Sequence, residues 1–315
     1  MPSGLTMRAY GNEEDFWRIR AFLREAYLLH ERRPQVWHVA RLDYWRWHVI
    51  ENCQACDPVE DVTFLWETAK GQIAAVLNQE GRGEAWLHVH PALHSGYDTA
   101  TLEEEVLAVA EERLAGTTPE GRRRLQVWAG ERDAQRQGLL AGRGYSKGHW
   151  PDHKRLWSSD REIPAGPPPA GYTVRSLGDA SELPARSWLS WRAFHPDEPD
   201  EDYGGWEWYR NIQRCPLYRR DLDLVAVAAD GELAAFCTLW YEDVTRSGYF
   251  EPVGSEPNHQ RRGLGRAVMC EALRRLRRLG GTQATVGGFS EAANGLYRSV
   301  LGPDVELIER WVREW

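Results

Sequence analysis

Long apolar runs are missing from this 315-residue chain. The longest lie around Asp223 to Ala229 and Leu233 to Trp240, well short of the roughly 20 residues that a bilayer span requires. The stretch MPSGLTMRAY has no extended apolar core, so it does not read as a secretory signal. Cysteine is scarce: five residues at irregular spacing give no disulfide framework, and a reducing cytoplasm is the expected compartment. Positive charge is outweighed, with 39 Lys and Arg against 47 Asp and Glu. A net charge of −8 disfavours nucleic acid and anionic lipid, so neither nucleic acid nor a membrane is expected as a partner.

What is present is organised in two halves. The length exceeds one typical domain and suits two of about 150 residues. Near the middle, REIPAGPPPAGY carries three consecutive prolines, which forbid helix and favour an extended spacer. The expected division is 1–163, a linker at 164–171, and 172–315. In the second half, YTVRSL reads as a strand, and ELPARSWLSWRAFH and GGWEWYRNIQRC read as helices. LDLVAVAADGELAAFCTLWYED reads as two strands turning at Asp230-Gly231, and SGYFEPVGSEP as another. A helix follows with Leu264, Val268, Ala272, Leu276 and Leu279 at helical spacing, stopped by Gly280-Gly281. TQATVGG, SEAANGLYRSV and VELIERWVREW close as strand, helix and strand. The first half repeats that order with weak identity, which predicts a duplicated α/β unit.

The most informative stretch is HQRRGLGRAVM, His259 to Met269, between a strand and a helix. Gly263 and Gly265 allow close backbone approach, and the first helical turn exposes amides without partners. With Gln260, Arg261, Arg262 and Arg266 they can cradle a phosphate or pyrophosphate. No Gly-Lys-Ser/Thr follows, and the Rossmann spacing is absent. Glycines and arginines alone leave a second reading open, an ordinary helix start with a solvated basic face.

The spacing Gln260-x-x-Gly263-x-Gly265 after a fourth strand resembles the acetyl-CoA signature of the GNAT superfamily, the Gcn5-related N-acetyltransferases. EPVGSEPNH resembles that family's fourth strand and approach loop, and ANGLYRSV its later helix. The first half resembles a degenerate copy, so the resemblance covers nearly the whole chain. Its implied fold is α/β: two tandem GNAT-like domains, each a mixed, mostly antiparallel sheet flanked by helices. Tandem enzymes such as mycothiol synthase are similar in architecture.

The resemblance implies acetyl-CoA as co-substrate, with no metal. Its pyrophosphate is expected on Gln260, Arg261, Arg262, Gly263, Leu264, Gly265 and Arg266. Its pantetheine arm is expected against a bulge at Pro252, Val253, Gly254 and Ser255, with Val253 the better amide donor because Pro252 has none. Tyr297 matches the family tyrosine that protonates the departing thiolate, and Asn294 stands near it. Ser290 replaces the family's asparagine, and RSVLG departs from its Gly-Phe ending. Glu251 is expected as base for the acceptor amine, on one face with Tyr249 and Val253.

The corresponding place in the first half reads HVHPALHSGYDTATLEEEV. It has a single Gly96 and no arginine before the helix, which is expected to open with Glu103, Glu104 and Glu105. This half is therefore expected not to bind acetyl-CoA productively. The acceptor is expected beneath Trp188, Trp191, Phe194, Trp206, Trp208 and Tyr209, beside the acidic run Asp197 to Asp202. Rings and carboxylates suit a cationic small-molecule amine, although tryptophans at helical spacing are more often core. The expected protein is an N-acetyltransferase, monomer or homodimer. The alternatives are a CoA-binding regulatory module without turnover and a transferase for a protein or peptide amine. Cys53-x-x-Cys56 lacks a second ligand pair, His88, His90 and His94 have unremarkable spacing for a metal, and Arg274, Arg275, Arg277 and Arg278 read as a solvated helix face.

Overall fold

The computed structural model describes residues 4–92 and 98–315. In chain order the first elements are β1 (Leu5–Ala9), α1 (Glu13–Leu29), α2 (Val39–Tyr44) running into a π turn, α3 (Val59–Val62), β2 (Thr63–Thr68), β3 (Ile73–Gln79) and β4 (Glu84–Val89). Then come α4 (Thr99–Arg113), β5 (Gly116–Thr117), β6 (Arg123–Gly130), α5 (Ala134–Gly142), β7 (Ser146–Lys147) and β8 (Asp152–Ser158). The second series is β9 (Tyr172–Ser176), α6 (Leu183–Phe194), α7 (Tyr209–Ile212), β10 (Asp223–Ala228), β11 (Leu233–Glu242) and β12 (Ser247–Ser255). It closes with α8 (Leu264–Arg278), β13 (Gln283–Val286), α9 (Glu291–Leu301) and β14 (Val305–Glu314). Among the described residues no helix is long and apolar enough to cross a membrane.

Two compact units result, but not with the expected boundaries. One is Met1–Asp152 together with Glu306–Trp315, and the other is His153–Val305. The division at 163 and 172 is corrected by an exchange of closing strands. In the first unit β14 runs antiparallel to β6, with Ile308 opposite Gly130 and Glu314 opposite Arg124. In the second, β8 runs antiparallel to β13, with Gln283 opposite Ser158 and Val286 opposite Arg155. Ladder hydrogen bonds join backbone groups and carry no label of sequence origin. A duplicated element order therefore leaves the two closing strands interchangeable in pattern.

In the second unit β9, β10, β11 and β12 are antiparallel neighbours. β13 then pairs parallel with β12, and β8 follows it. One face is covered by α8, whose Leu264, Val268, Ala272 and Leu276 are buried as their spacing predicts. Phe250, Val286, Trp157 and Tyr297 join that core.

The proline stretch is part of this unit and is held along α8. Arg274 donates to the Pro164 carbonyl at 3.1 Å, and Arg277 to that of Arg161 at 2.7 Å. At Gly166, φ is +46°, and a Cβ would meet Cys270 Sγ at 2.7 Å, so this close approach requires glycine. The basic helix face thus binds the chain's own carbonyls. GGWEWYRNIQRC also departs from expectation: only Tyr209–Ile212 is helical. Gly205 at φ +94° and Pro216 bracket it and resist extension.

In the first unit, β1 to β4 form an antiparallel series, and β4 meets β6 in parallel. His88 is buried, with Asn78 Oδ1 3.0 Å from its Nε2. His94 and Gly96 lie outside the described residues.

Candidate active site

β12 changes geometry at Glu251 and Pro252. Phe250 lies opposite Leu239 and Val253 opposite Cys237, so two residues of β12 oppose Thr238 alone. That is a bulge. Pairing with β13 ends at the same level, since Phe250 opposite Val286 is the last pair. Residues 251–255 therefore keep β11 on one side and have no ladder to β13 on the other, which leaves strand-edge groups facing a gap.

The bulge also decides which way each side chain points. Tyr249 and Glu251 share a face, with the Tyr249 hydroxyl 3.5 Å from Glu251 Oε2. Trp240, opposite Tyr249, donates its indole N–H to the Glu251 carbonyl. Val253 is on the other face, packed against the α8 core. The expected alignment of Tyr249, Glu251 and Val253 is corrected, because the extra residue breaks the two-residue alternation. Gly254 turns toward α6, where a Cβ would meet Phe236 Cζ at 2.6 Å and Ala193 Cβ at 2.9 Å.

The loop after β12 ends at Gly263, the residue preceding α8, at φ +83° and with open space where a Cβ would stand. Gly263 has no side chain with which to cap the helix start, and the first turn of α8 contains no acidic residue. The amides of Leu264, Gly265 and Arg266 are the orphan donors of this terminus. Arg261 is exposed, sits at φ +58°, and has no hydrogen-bond or ion-pair partner among the described residues. Its neighbours are partly engaged. Arg262 donates to the Tyr172 hydroxyl and the Asn258 carbonyl, both at 3.0 Å, and Arg266 to the Ser299 carbonyl at 2.9 Å. Gln260 Nε2 is 3.4 Å from the Ser255 carbonyl. Gly265 is pressed by α9: a Cβ would meet Leu296 Cδ2 at 3.0 Å.

On α9, Tyr297 is buried on the α8 side, its ring 2.9 Å from where a Cβ on Gly288 would sit. Asn294 donates to the carbonyls of Gly288 at 3.1 Å and Ser290 at 3.0 Å. Its Oδ1 is buried without a hydrogen-bond partner, an acceptor beside the gap suited to an amide N–H. Ser290 caps α9 by accepting from the Ala293 amide at 3.1 Å. The bulge, the α8 start and α9 frame one gap, with Tyr297 and Glu251 on opposite sheet faces.

The tryptophans divide. Trp188 and Trp191 stack at 5.4 Å, Tyr203 meets both, and His195 stacks on Trp191 at 5.6 Å. Phe194 is exposed, and Trp206 lies under Arg210. Tyr209 is a core residue whose hydroxyl donates to Asp223 at 2.6 Å. Asp223 also accepts from Tyr218 and Thr238 and pairs with Arg186, at 3.1, 3.2 and 3.2 Å. Burial, then Asp223, pushes the Tyr218 hydroxyl above its ordinary pKa, so it stays a donor. This network under the bulge was invisible in sequence, where Asp223 merely begins an apolar run. Of the acidic run, Asp200 faces Arg192 at 3.4 Å.

The first unit differs at the corresponding helix. α4 begins at Thr99, capped by Asp98, whose carboxylate accepts from the amides of Ala100 and Thr101 at 3.2 Å each. The glutamates expected to open the helix lie past its first turn. Glu103 pairs with buried Arg136, and Glu105 accepts from Trp66 at 3.0 Å. Asp98 is the stronger helix starter because its short carboxylate reaches the orphan amides. Among the described residues, no group of three or more His, Cys, Asp or Glu could hold a metal ion.

Residues 183–302 match the model of the Acetyltransferase (GNAT) family. The whole chain is similar in fold to a GCN5-related N-acetyltransferase from Sphaerobacter thermophilus, at 19% identity and TM-score 0.62, covering 100% of this chain and 96% of that one. It is equally similar to a tandem GNAT protein from the clavulanic acid biosynthesis pathway, at 14% identity and TM-score 0.62, covering 98% of each. A glucosamine N-acetyltransferase region in a fungal multi-domain β-N-acetylglucosaminidase aligns at 15% identity and TM-score 0.57, over 99% of this chain and 38% of that one. No curated protein matches the chain. Residues 183–302 therefore resemble the acetyltransferase (GNAT) family, and the chain is similar in fold to tandem GNAT proteins.

Proposed function

We propose that the second unit transfers the acetyl group of acetyl-CoA to a primary amine of a small molecule, by direct attack in a ternary complex. The observation that carries this reading is the coincidence of the bulge with the end of β12–β13 pairing, beside an uncapped helix start. The residues fit the co-substrate. Orphan amides of Leu264, Gly265 and Arg266 with Arg261 suit a diphosphate. Strand-edge groups of 252–255 and Asn294 Oδ1 suit the amides of a pantetheine arm. Bound acetyl-CoA supplies an acetyl carbon activated as a thioester.

The chain's own groups then move protons on two sides of one gap. Glu251 accepts a proton from the acceptor ammonium, directly or through water, on the face shared with Tyr249. Tyr297 Oη gives a proton to the departing sulfur from the other face. The Val253 N–H is the donor toward the carbonyl oxygen, where charge develops. Trp188, Trp191, Phe194, Trp206 and Trp208 with the acidic run from Asp197 favour a cationic acceptor. The first unit does not bind acetyl-CoA, because Asp98 already occupies the corresponding amides with a negative charge. Five cysteines at irregular spacing favour a reducing, cytoplasmic compartment.

The test is release of CoA thiol from acetyl-CoA across a panel of small amines. Release that depends on one amine class, and that falls about 100-fold in Tyr297→Phe with acetyl-CoA affinity retained, supports the reading. Acetyl-CoA binding without release by any amine would favour a regulatory binding module instead.

A further inference from the structure

The exchanged strand β8 brings a buried amine to the gap. Lys154 is only 4% exposed, and its Nζ lies 5.6 Å from the centre of the Tyr249 ring. Its place follows from register. Phe250, Val286 and Arg155 form one rank across β12, β13 and β8. The next rank toward the gap holds Glu251, Gly287 and Lys154. Trp157 packs into the α8 core, so by alternation Arg155 shares its face and Lys154 takes the opposite one, with Tyr249 and Glu251. Tyr249 thus has the Lys154 ammonium over its ring and the Glu251 carboxylate 3.5 Å from its hydroxyl.

Burying an ammonium is unfavourable unless charge or ring faces compensate it. We infer that Lys154 is a positioning residue for acyl transfer. Acting through Tyr249, it holds the Glu251 carboxylate in place at the mouth of the gap. This rests on the reading of Glu251 as the base. It also gives the strand exchange a functional consequence, because the segment before the proline stretch completes a site otherwise built from residues after it.

The test compares wild type with Lys154→Met, which keeps the apolar stem and removes the charge, and Lys154→Arg, which keeps the charge. Acetyl-CoA affinity is read by calorimetry and folding by thermal denaturation, alongside steady-state kinetics. The expected result for Lys154→Met is wild-type acetyl-CoA affinity and KM with kcat lowered about tenfold or more, recovered in large part by Lys154→Arg. If Lys154→Met does not fold, Lys154→Gln is held to the same criteria. A kcat within about twofold of wild type, or a loss that only follows the folded fraction, overturns the inference and leaves the catalytic reading standing. Wild type that binds no acetyl-CoA overturns both.

Discussion

Phe250 and Val286 form the last cross-strand pair between β12 and β13, and the bulge at Glu251 and Pro252 begins one residue later. The extra residue turns β12 away from a regular ladder. Deleting Pro252 would leave Glu251 alone opposite Thr238 and restore two-residue alternation. The deletion variant should remain folded, with its melting temperature equal or higher, and lose acetyl-CoA binding by at least about tenfold. Calorimetry with thermal denaturation checks both halves of that statement.

Arg261 has no partner to lose among the described residues, so Arg261→Ala should leave thermal stability unchanged. Loss of a charge-assisted contact to a diphosphate is worth about 1–2 kcal/mol, a rise of roughly 5- to 30-fold in acetyl-CoA Kd, shrinking at high salt. Gly263→Val should weaken binding more, because φ +83° strains a branched side chain even where space is open.

A fragment of residues 153–305 contains every strand of the second unit, whereas 172–315 lacks β8 and carries β14 without its β6 partner. The first should melt cooperatively. The second should aggregate or melt well below it, since it loses buried Trp157 and Leu156, at a cost of several kcal/mol. Circular dichroism melts of the two fragments decide this.

Acid should weaken the first unit before the second. Burial, then Arg20 and Arg24, holds His38 down to about 3, and burial holds His48 down to about 4. Below the unfolded value near 6.5, the unfolded chain takes protons that the folded one refuses. Stability is therefore full above about 6.5 and falls as pH drops, by about 1.4 kcal/mol per pH unit for each histidine. His38 accepts from the Ala40 amide through Nδ1 at 3.2 Å, a cap that asparagine can also make. His38→Asn should flatten the fall in melting temperature between pH 6.5 and 4, as differential scanning calorimetry can measure.

Element order, the β10–β11 hairpin, α8 and the glycine loop were legible because each has a local signature: alternation, helical spacing, Asp-Gly, or glycine where φ is positive. The bulge face of Val253, the Arg186–Asp223 network and Lys154 were not. A bulge shifts alternation without changing composition, and a buried ion pair is a pairing of distant single residues. Lys154 was hidden for another reason. Its strand belongs to the other half in sequence, and backbone ladders do not record which half supplies them.

The proposed chemistry depends on one acyl-carrier site, at the start of α8. Titration calorimetry of the full chain with acetyl-CoA tests it most directly. One molecule should bind per chain, with affinity reduced by Arg261→Ala and Gly263→Val and untouched by Asp98→Ala. Absence of binding heat, or binding that survives both α8-loop substitutions and is altered by Asp98→Ala, would contradict it.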